Sequence, residues 1–309
     1  MNILGKRYIF FAFSLLFIIP GLVLIMLNGL PLSIDFRGGS LVELEFNSQN
    51  TPSISELQSL YESNGVNDIQ VQISSKQDRE ILFIKSSSLE QDQYTSIISH
   101  LKENYDEHLI ERRFNTVGPS ISESVTQRAL LAIIISSIAV VLYITYAFRG
   151  VPHAFRYGFC AVIAMIHDIL VVISLGAIGS QFFGWQMDSL FLTALLTVIG
   201  FSTQDKIVVF DRIRENTPIL RKISFEQLVN HSIIQSLQRS INTQLMTSEF
   251  LLLSLALFGG ETLREMCIIL LIGLLSGTYS SISIAAPILV VWENKEWKNW
   301  FRKPHTSKV

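Results

Sequence analysis

The chain has 309 residues, of which 49% are hydrophobic and only 16% charged, and its mean hydropathy is +0.39. Charged content well below the soluble average of about 25%, together with long apolar runs, places it among integral membrane proteins. The net charge of −2 hides a segregation, because residues 31–127 carry fifteen acidic against seven basic side chains, and an acidic extramembrane domain gives no reason to expect nucleic acid.

In chain order, Lys6-Arg7 precedes the apolar run Tyr8–Leu27. That run is too long for a signal-peptide core and lacks a small-residue cleavage site, so it reads as an uncleaved first span. Residues 31–127 then read as a folded domain. Leu41–Phe46 alternates with period two, as a half-buried strand does. Ser53-Ile-Ser-Glu56 has the pattern of a capping box and opens a helix to about Ser63, closed by Asn64-Gly65. Ile69–Ile73 and Glu80–Ile84 are two further strands across the polar turn Ser74–Arg79. A second helix covers Gln91–Asn104 with Tyr94, Ile97, Ile98 and Leu101 on one face, and His108–Asn115 is the last strand. The order β-α-β-β-α-β is a ferredoxin-like pattern, which by itself assigns no function.

A hydrocarbon core about 30 Å thick needs roughly 20 apolar residues per helix. Leu130–Phe148, Gly158–Ile178, Leu190–Phe210, Leu237–Phe258 and Met266–Val291 meet that need, giving six spans with the first. The expected architecture is an α-helical integral membrane protein, a six-helix half-transporter bundle with one ferredoxin-like α+β domain between its first and second helices. Its parts are residues 1–30, the domain 31–127, a five-helix region 128–292 and a basic tail 293–309. Arg149, Arg156, Arg212, Arg214, Arg221, Lys222 and the tail lysines lie on one side, whereas Gly179–Ser189 has no Lys or Arg. The positive-inside rule then puts both termini in the cytoplasm and the acidic domain outside. Small residues from Gly273 to Ala286 suit close helix packing, within the bundle or between subunits. Cys160 and Cys267 sit in apolar runs and read as packing residues; no spacing suggests a metal or cofactor.

Asp205 stands inside an otherwise apolar helix. An ionisable group there costs at least about 2.5–3.5 kcal/mol on insertion scales, so it usually persists because it is used. Arg239, at the start of the antiparallel fifth span, is its expected partner, either as a structural salt bridge or as a proton-responsive pair; the second is preferred. His167-Asp168 is a second intramembrane site, able to relay protons or to tie helices together. Glu249 is expected mid-span, and Lys206, about 100° round the helix from Asp205, to snorkel to the surface. Asp211-Arg-Ile-Arg-Glu-Asn216 reads as a solvated helix end. Nucleotide-binding, zinc-protease and nucleophile-elbow motifs are absent from the sequence, so no enzyme is expected.

Asp35-Phe-Arg37-Gly38-Gly39-Ser40, Val117-Gly118-Pro119, His167-Asp168, Val208–Asn216, Phe258-Gly-Gly260 and Gly277–Ser281 occur in this order along nearly the whole chain. In these motifs the chain resembles the SecD/SecF family of the bacterial Sec protein translocase, on the SecF side, within the resistance–nodulation–division superfamily. Within Val208–Asn216 the residues that match the family's motif are Asp211, Arg212, Arg214, Glu215 and Asn216. The resemblance implies a non-catalytic subunit that pairs with SecD, associates with the SecYEG channel in the inner membrane and uses the proton-motive force to help release preproteins on the outer side. It implies that Asp205 carries the coupling proton and that Arg239 is its partner. Two departures stand out: Gln204-Asp205-Lys206 where the family usually reads Asn-Asp-Thr or similar, and a glutamate at position 249. The alternative is a proton-driven exporter of small molecules or lipids from the same superfamily, for which a single domain of this size provides too little pocket.

Overall fold

The computed structural model describes residues 2–46, 51–76, 79–150, 153–244, 250–259 and 261–296. After a 3-10 turn at Leu4–Lys6 come α1 (Arg7–Asn28), α2 (Ile34–Arg37), β1 (Gly39–Phe46), α3 (Ile54–Ser63), β2 (Gln70–Lys76), β3 (Arg79–Ser86), α4 (Gln91–Asn104) and β4 (Ile110–Val117). The chain continues through α5 (Pro119–Ala147), α6 (Ala154–Phe183), α7 (Ser189–Ile219), α8 (Phe225–Gln244), α9 (Phe250–Phe258) and α10 (Glu261–Ser280). A π-helical turn at Ser281–Ala285 leads into α11 (Ala286–Glu293). Two compact units result, one of residues 32–130 and one of 1–31 with 131–309.

In the unit of residues 32–130 the sheet order is β2-β3-β1-β4 with every neighbouring pair antiparallel, the split-βαβ arrangement of the ferredoxin-like pattern. The period-two alternation of β1 buries Val42, Leu44 and Phe46 against Leu57, Tyr61, Ile97, Ile98 and Leu101 of the two helices. Ser53 and Glu56 form the expected reciprocal capping box of α3. On the other face of β1, Glu45 accepts from Arg112 Nε at 2.6 Å, so the buried carboxylate is paired.

The motif Asp35–Gly39 has a backbone reason. Ser33 caps α2 by accepting from the Asp35 N–H, and the chain then passes through Gly38 at φ +77° and Gly39 at φ +113°, where a side chain is strained. A Cβ on Gly39 would lie 2.4 Å from the Ser86 carbonyl oxygen, across the ladder that β1 makes with β3. Pro119 begins α5, a position at which its missing N–H costs nothing. The helix therefore starts well before the apolar run at Leu130, because residues 120–129 are polar but contain no breaker.

The other unit is a helix bundle. Among the described residues, five helices are long and apolar enough to cross a membrane: Leu4–Asn28, Pro119–Ala147, Ala154–Phe183, Ser189–Ile219 and Leu263–Glu293. The expected span Leu237–Phe258 is divided between α8 and α9, with residues 245–249 outside the described set. Helix α10 packs along α7 at a seam of small residues. A Cβ on Gly273 would lie 2.4 Å from Val198 Cγ2, and one on Gly277 would lie 3.0 Å from Ser202 Cβ. The Gly273–Gly277 stripe thus serves packing within the bundle. Helix α1 approaches α6 as closely, at Gly21 against Ser174, whose hydroxyl donates to the Ile18 carbonyl at 3.1 Å. The π turn precedes Pro287, which has no N–H and crowds the carbonyl four residues back, so the ladder widens there.

One end of the bundle is clasped by charges. Arg7 bonds Glu226 at 2.9 Å and Glu296 at 3.0 Å, and Arg156 pairs with Glu293. Asn230 accepts from the Ile3 and Leu4 N–H groups, which fixes the start of the chain on α8.

Candidate functional site

Two carboxylates lie inside the bundle on neighbouring helices, Asp168 on α6 and Asp205 on α7, and α10 contacts both. Asp168 is 1% exposed. Its Oδ1 lies 3.0 Å from His167 Nδ1 and accepts from Ser276 Oγ at 3.0 Å. Its Oδ2 accepts from Ser280 Oγ at 2.7 Å, from Lys206 Nζ at 2.8 Å and from the Ser202 hydroxyl. Both carboxylate oxygens are therefore engaged, by three hydroxyls, an imidazole and an ammonium.

Lys206 does not snorkel. Its side chain is fully buried and points to α6, where Nζ reaches Asp168, the Ser202 hydroxyl and, at 3.3 Å, the Ser202 carbonyl. Those three oxygens use all three N–H donors of the ammonium. The expectation failed because a charge already matched inside the bundle has no reason to seek the surface. Ser202 and Lys206 are one turn apart on α7, as are Ser276 and Ser280 on α10, so each pair shares a helix face. That i, i+4 spacing was the available signal. A hydropathy average over 20 residues erases it.

Asp205 is also buried but differently furnished. Among the described residues its hydrogen bond is to a neutral group, with Thr278 Oγ1 2.9 Å from Oδ2. The charges of Lys206 and Asp168 act on it only through space. The structure does not bring Arg239 to it. Arg239 is exposed on α8. The pairs Arg212–Gln235 and Asn216–Ser232 set the antiparallel register of α7 and α8, and continuing it places Asp205 level with Asn242 or Thr243. Arg239 falls about one turn nearer the clasped end. At Asp205's level α8 carries buried Ser240 and Gln244, whose hydroxyl and amide nitrogen have no partner among the described residues. Glu249 lies outside the described residues.

The segment Asp211–Asn216 is a clasp more than a free solvated face. Asp211 pairs with Arg214 at 2.6 Å and Arg212 with Glu215 at 2.7 Å. Arg212 also reaches Gln235, Arg214 stacks over Phe148, and buried Asn216 donates to Ser232 and Gln235. The motif therefore ties α7 to α8 and to the end of α5.

The family model described as protein export membrane protein SecD/SecF, C-terminal, matches residues 97–295, and the SecD/SecF GG motif matches residues 23–49. The chain is 58% identical over 303 residues to the protein translocase subunit SecF of Anaerolinea thermophila, covering 98% of this chain and 97% of that one. Identity to the SecF subunit of Thermobaculum terrenum is 43% over 315 residues, covering 98% and 97%. Among solved structures, SecDF of Thermus thermophilus, a translocon-associated membrane protein, superposes with a TM-score of 0.77 at 29% identity. The match covers 95% of this chain and spans 39% of the length of that one.

Proposed function

The chain belongs to the SecD/SecF family of protein export membrane proteins and is an accessory subunit of the Sec translocase, and we propose that it uses the proton-motive force to drive late steps of preprotein translocation. The observation that carries this reading is the contrast between the two buried carboxylates. Asp168 is paired with the Lys206 ammonium, whereas the hydrogen bond of Asp205 among the described residues is to one neutral hydroxyl, so Asp205 is the group that can take up and release a proton at modest cost. Arg239, about one turn away along α8, is the cation assigned to meet Asp205 when it is ionised, a meeting that requires α8 to move relative to α7. Moving one charge through 100 mV supplies about 2.3 kcal/mol, enough to shift a two-state equilibrium more than tenfold.

In this reading the chain crosses the membrane six times, the fifth crossing running from α8 into α9. Both termini are cytoplasmic, and residues 31–127 lie on the outer side, where they meet the preprotein. SecD completes the half-transporter, since the solved SecDF chain is more than twice as long, and the SecYEG channel is the site of action. The role is mechanical and not catalytic.

The test is translocation of a preprotein into inverted vesicles carrying the chain, SecD and the channel, with and without a proton gradient. Asp205→Asn should abolish the gradient-dependent increment while the complex still co-purifies intact. A variant that responds to the gradient like wild type would overturn the role of Asp205.

A further inference from the structure

The Lys206 ammonium is a buried charge that proton coupling at Asp205 does not use. Its surroundings are oxygen only: the Asp168 carboxylate at 2.8 Å, the Ser202 hydroxyl, and the Ser202 carbonyl at 3.3 Å. Ser280 Oγ shares the same carboxylate oxygen. One carboxylate, hydroxyls and a backbone carbonyl, with a single net negative charge, form the kind of donor set that hard cations take. The four side chains Asp168, Ser202, Lys206 and Ser280 are all buried, and the neighbouring seam brings α10 against α7 at Gly277 and Ser202.

We propose that Lys206 is a tethered cation filling a small monovalent-cation site made by Asp168, Ser202 and Ser280. The tether keeps Asp168 anionic and shuts that site to exchangeable ions. An ammonium fixed to α7 neutralises the buried carboxylate whatever salt surrounds the membrane. Helices α6, α7 and α10 are thereby interlocked at constant charge. The other ionisable groups facing this centre are His167 on α6, whose Nδ1 lies 3.0 Å from Asp168 Oδ1, Asp205 on α7 and Tyr279 on α10. From helix α1, the Ser14 hydroxyl and the Phe10 carbonyl are both engaged by Tyr279. This inference stands apart from the role of Asp205, because its readout is stability and not transport.

The experiment is thermal unfolding of the full chain in lipid nanodiscs, in choline, potassium, sodium and lithium chloride at equal ionic strength. Wild type should unfold at one temperature in all four salts. Lys206→Ala leaves a buried carboxylate without its cation, so in choline its Tm should drop by on the order of 10 °C. One of the alkali cations should restore most of that loss in a saturable way. The neutral pair Asp168→Asn with Lys206→Met should unfold near wild type and ignore the salt. If Lys206→Ala is as stable as wild type in choline, or equally destabilised in every salt, the cation site is refuted and the pair is only a packing contact. If the variant cannot be purified in choline, its yield on extraction in sodium or lithium becomes the readout; no yield in any salt, while the neutral pair folds normally, refutes the proposal equally.

Discussion

Asp168 and Asp205 are chemically identical and both buried, so what separates them is the company each keeps. Five polar groups, one of them the Lys206 ammonium, surround Asp168, while among the described residues Asp205 is held by one hydroxyl. The same reasoning applies outside the bundle at Glu111 of β4. Lys102 Nζ at 2.7 Å, then the Tyr94 hydroxyl at 2.5 Å, hold its carboxyl below the usual glutamate range. A carboxylate depressed on folding contributes stability that is complete above its unfolded pKa, about 4.3, and is lost as pH falls through the folded value. The side chain is 35% exposed, so solvent screening keeps the contribution below about 1 kcal/mol. Hydrogen exchange at the β4 amides, corrected for its intrinsic pH dependence, should therefore rise on acidification below about pH 4. In Glu111→Gln that rise should be smaller. An unchanged pH response in the variant would remove Glu111 as its source.

At the scale of elements, the decisive contact is α7 against α10, set by small residues and not by large apolar ones. Gly273→Val would drive a side chain into Val198, because even a Cβ falls 2.4 Å from it. The expected cost is about 1–3 kcal/mol of overpacking, seen as a lowered Tm, and it should spread to Ser276 and Ser280, about one and two turns on. Gly200→Ala on α7 is the matched control. Nothing lies within 4 Å of its Cβ, so it should gain about 0.5–1 kcal/mol from helix propensity. Equal effects of the two changes would mean the seam does not control the bundle. Helix ends were legible where the chain carries its own signal, as at Ser53 and Glu56. They were less so where hydropathy was the only guide: α5 begins at Pro119, well ahead of its apolar run, and α8 at Phe225.

For the whole molecule, the topology assigned from basic loops is open to a direct test. Cys160 and Cys267 are fully buried, so the native chain should react little with a membrane-impermeant maleimide. Ser96→Cys on the exposed face of α4 should be labelled in cells with a permeabilised outer envelope and protected in inverted vesicles. Lys222→Cys, in the connection between α7 and α8, should behave the opposite way. Labelling of both positions from one side would defeat the assigned orientation. This orientation also bears on mechanism, since a gradient can act on Asp205 only if the two faces of the bundle differ in access.

Along the chain, hydropathy and period-two or 3.6 repeats specified the apolar helices, the four strands and the acidic composition of residues 31–127, because these are properties of neighbouring residues. The paired glycines at 38 and 39 were legible as a motif, although their reason, two positive φ angles and a Ser86 carbonyl that a Cβ on Gly39 would meet at 2.4 Å, is spatial. The partners of the buried charges were decided only by the tertiary structure. Ser202, Lys206, Ser276 and Ser280 stand 34, 38, 108 and 112 residues from the carboxylate they satisfy. Which of them meets Asp168, and why Lys206 turns inward while Arg239 stays out, depends on how each helix is rotated about its axis and how closely the glycine seam lets α10 approach α7. Those rotations are set by packing over the whole bundle.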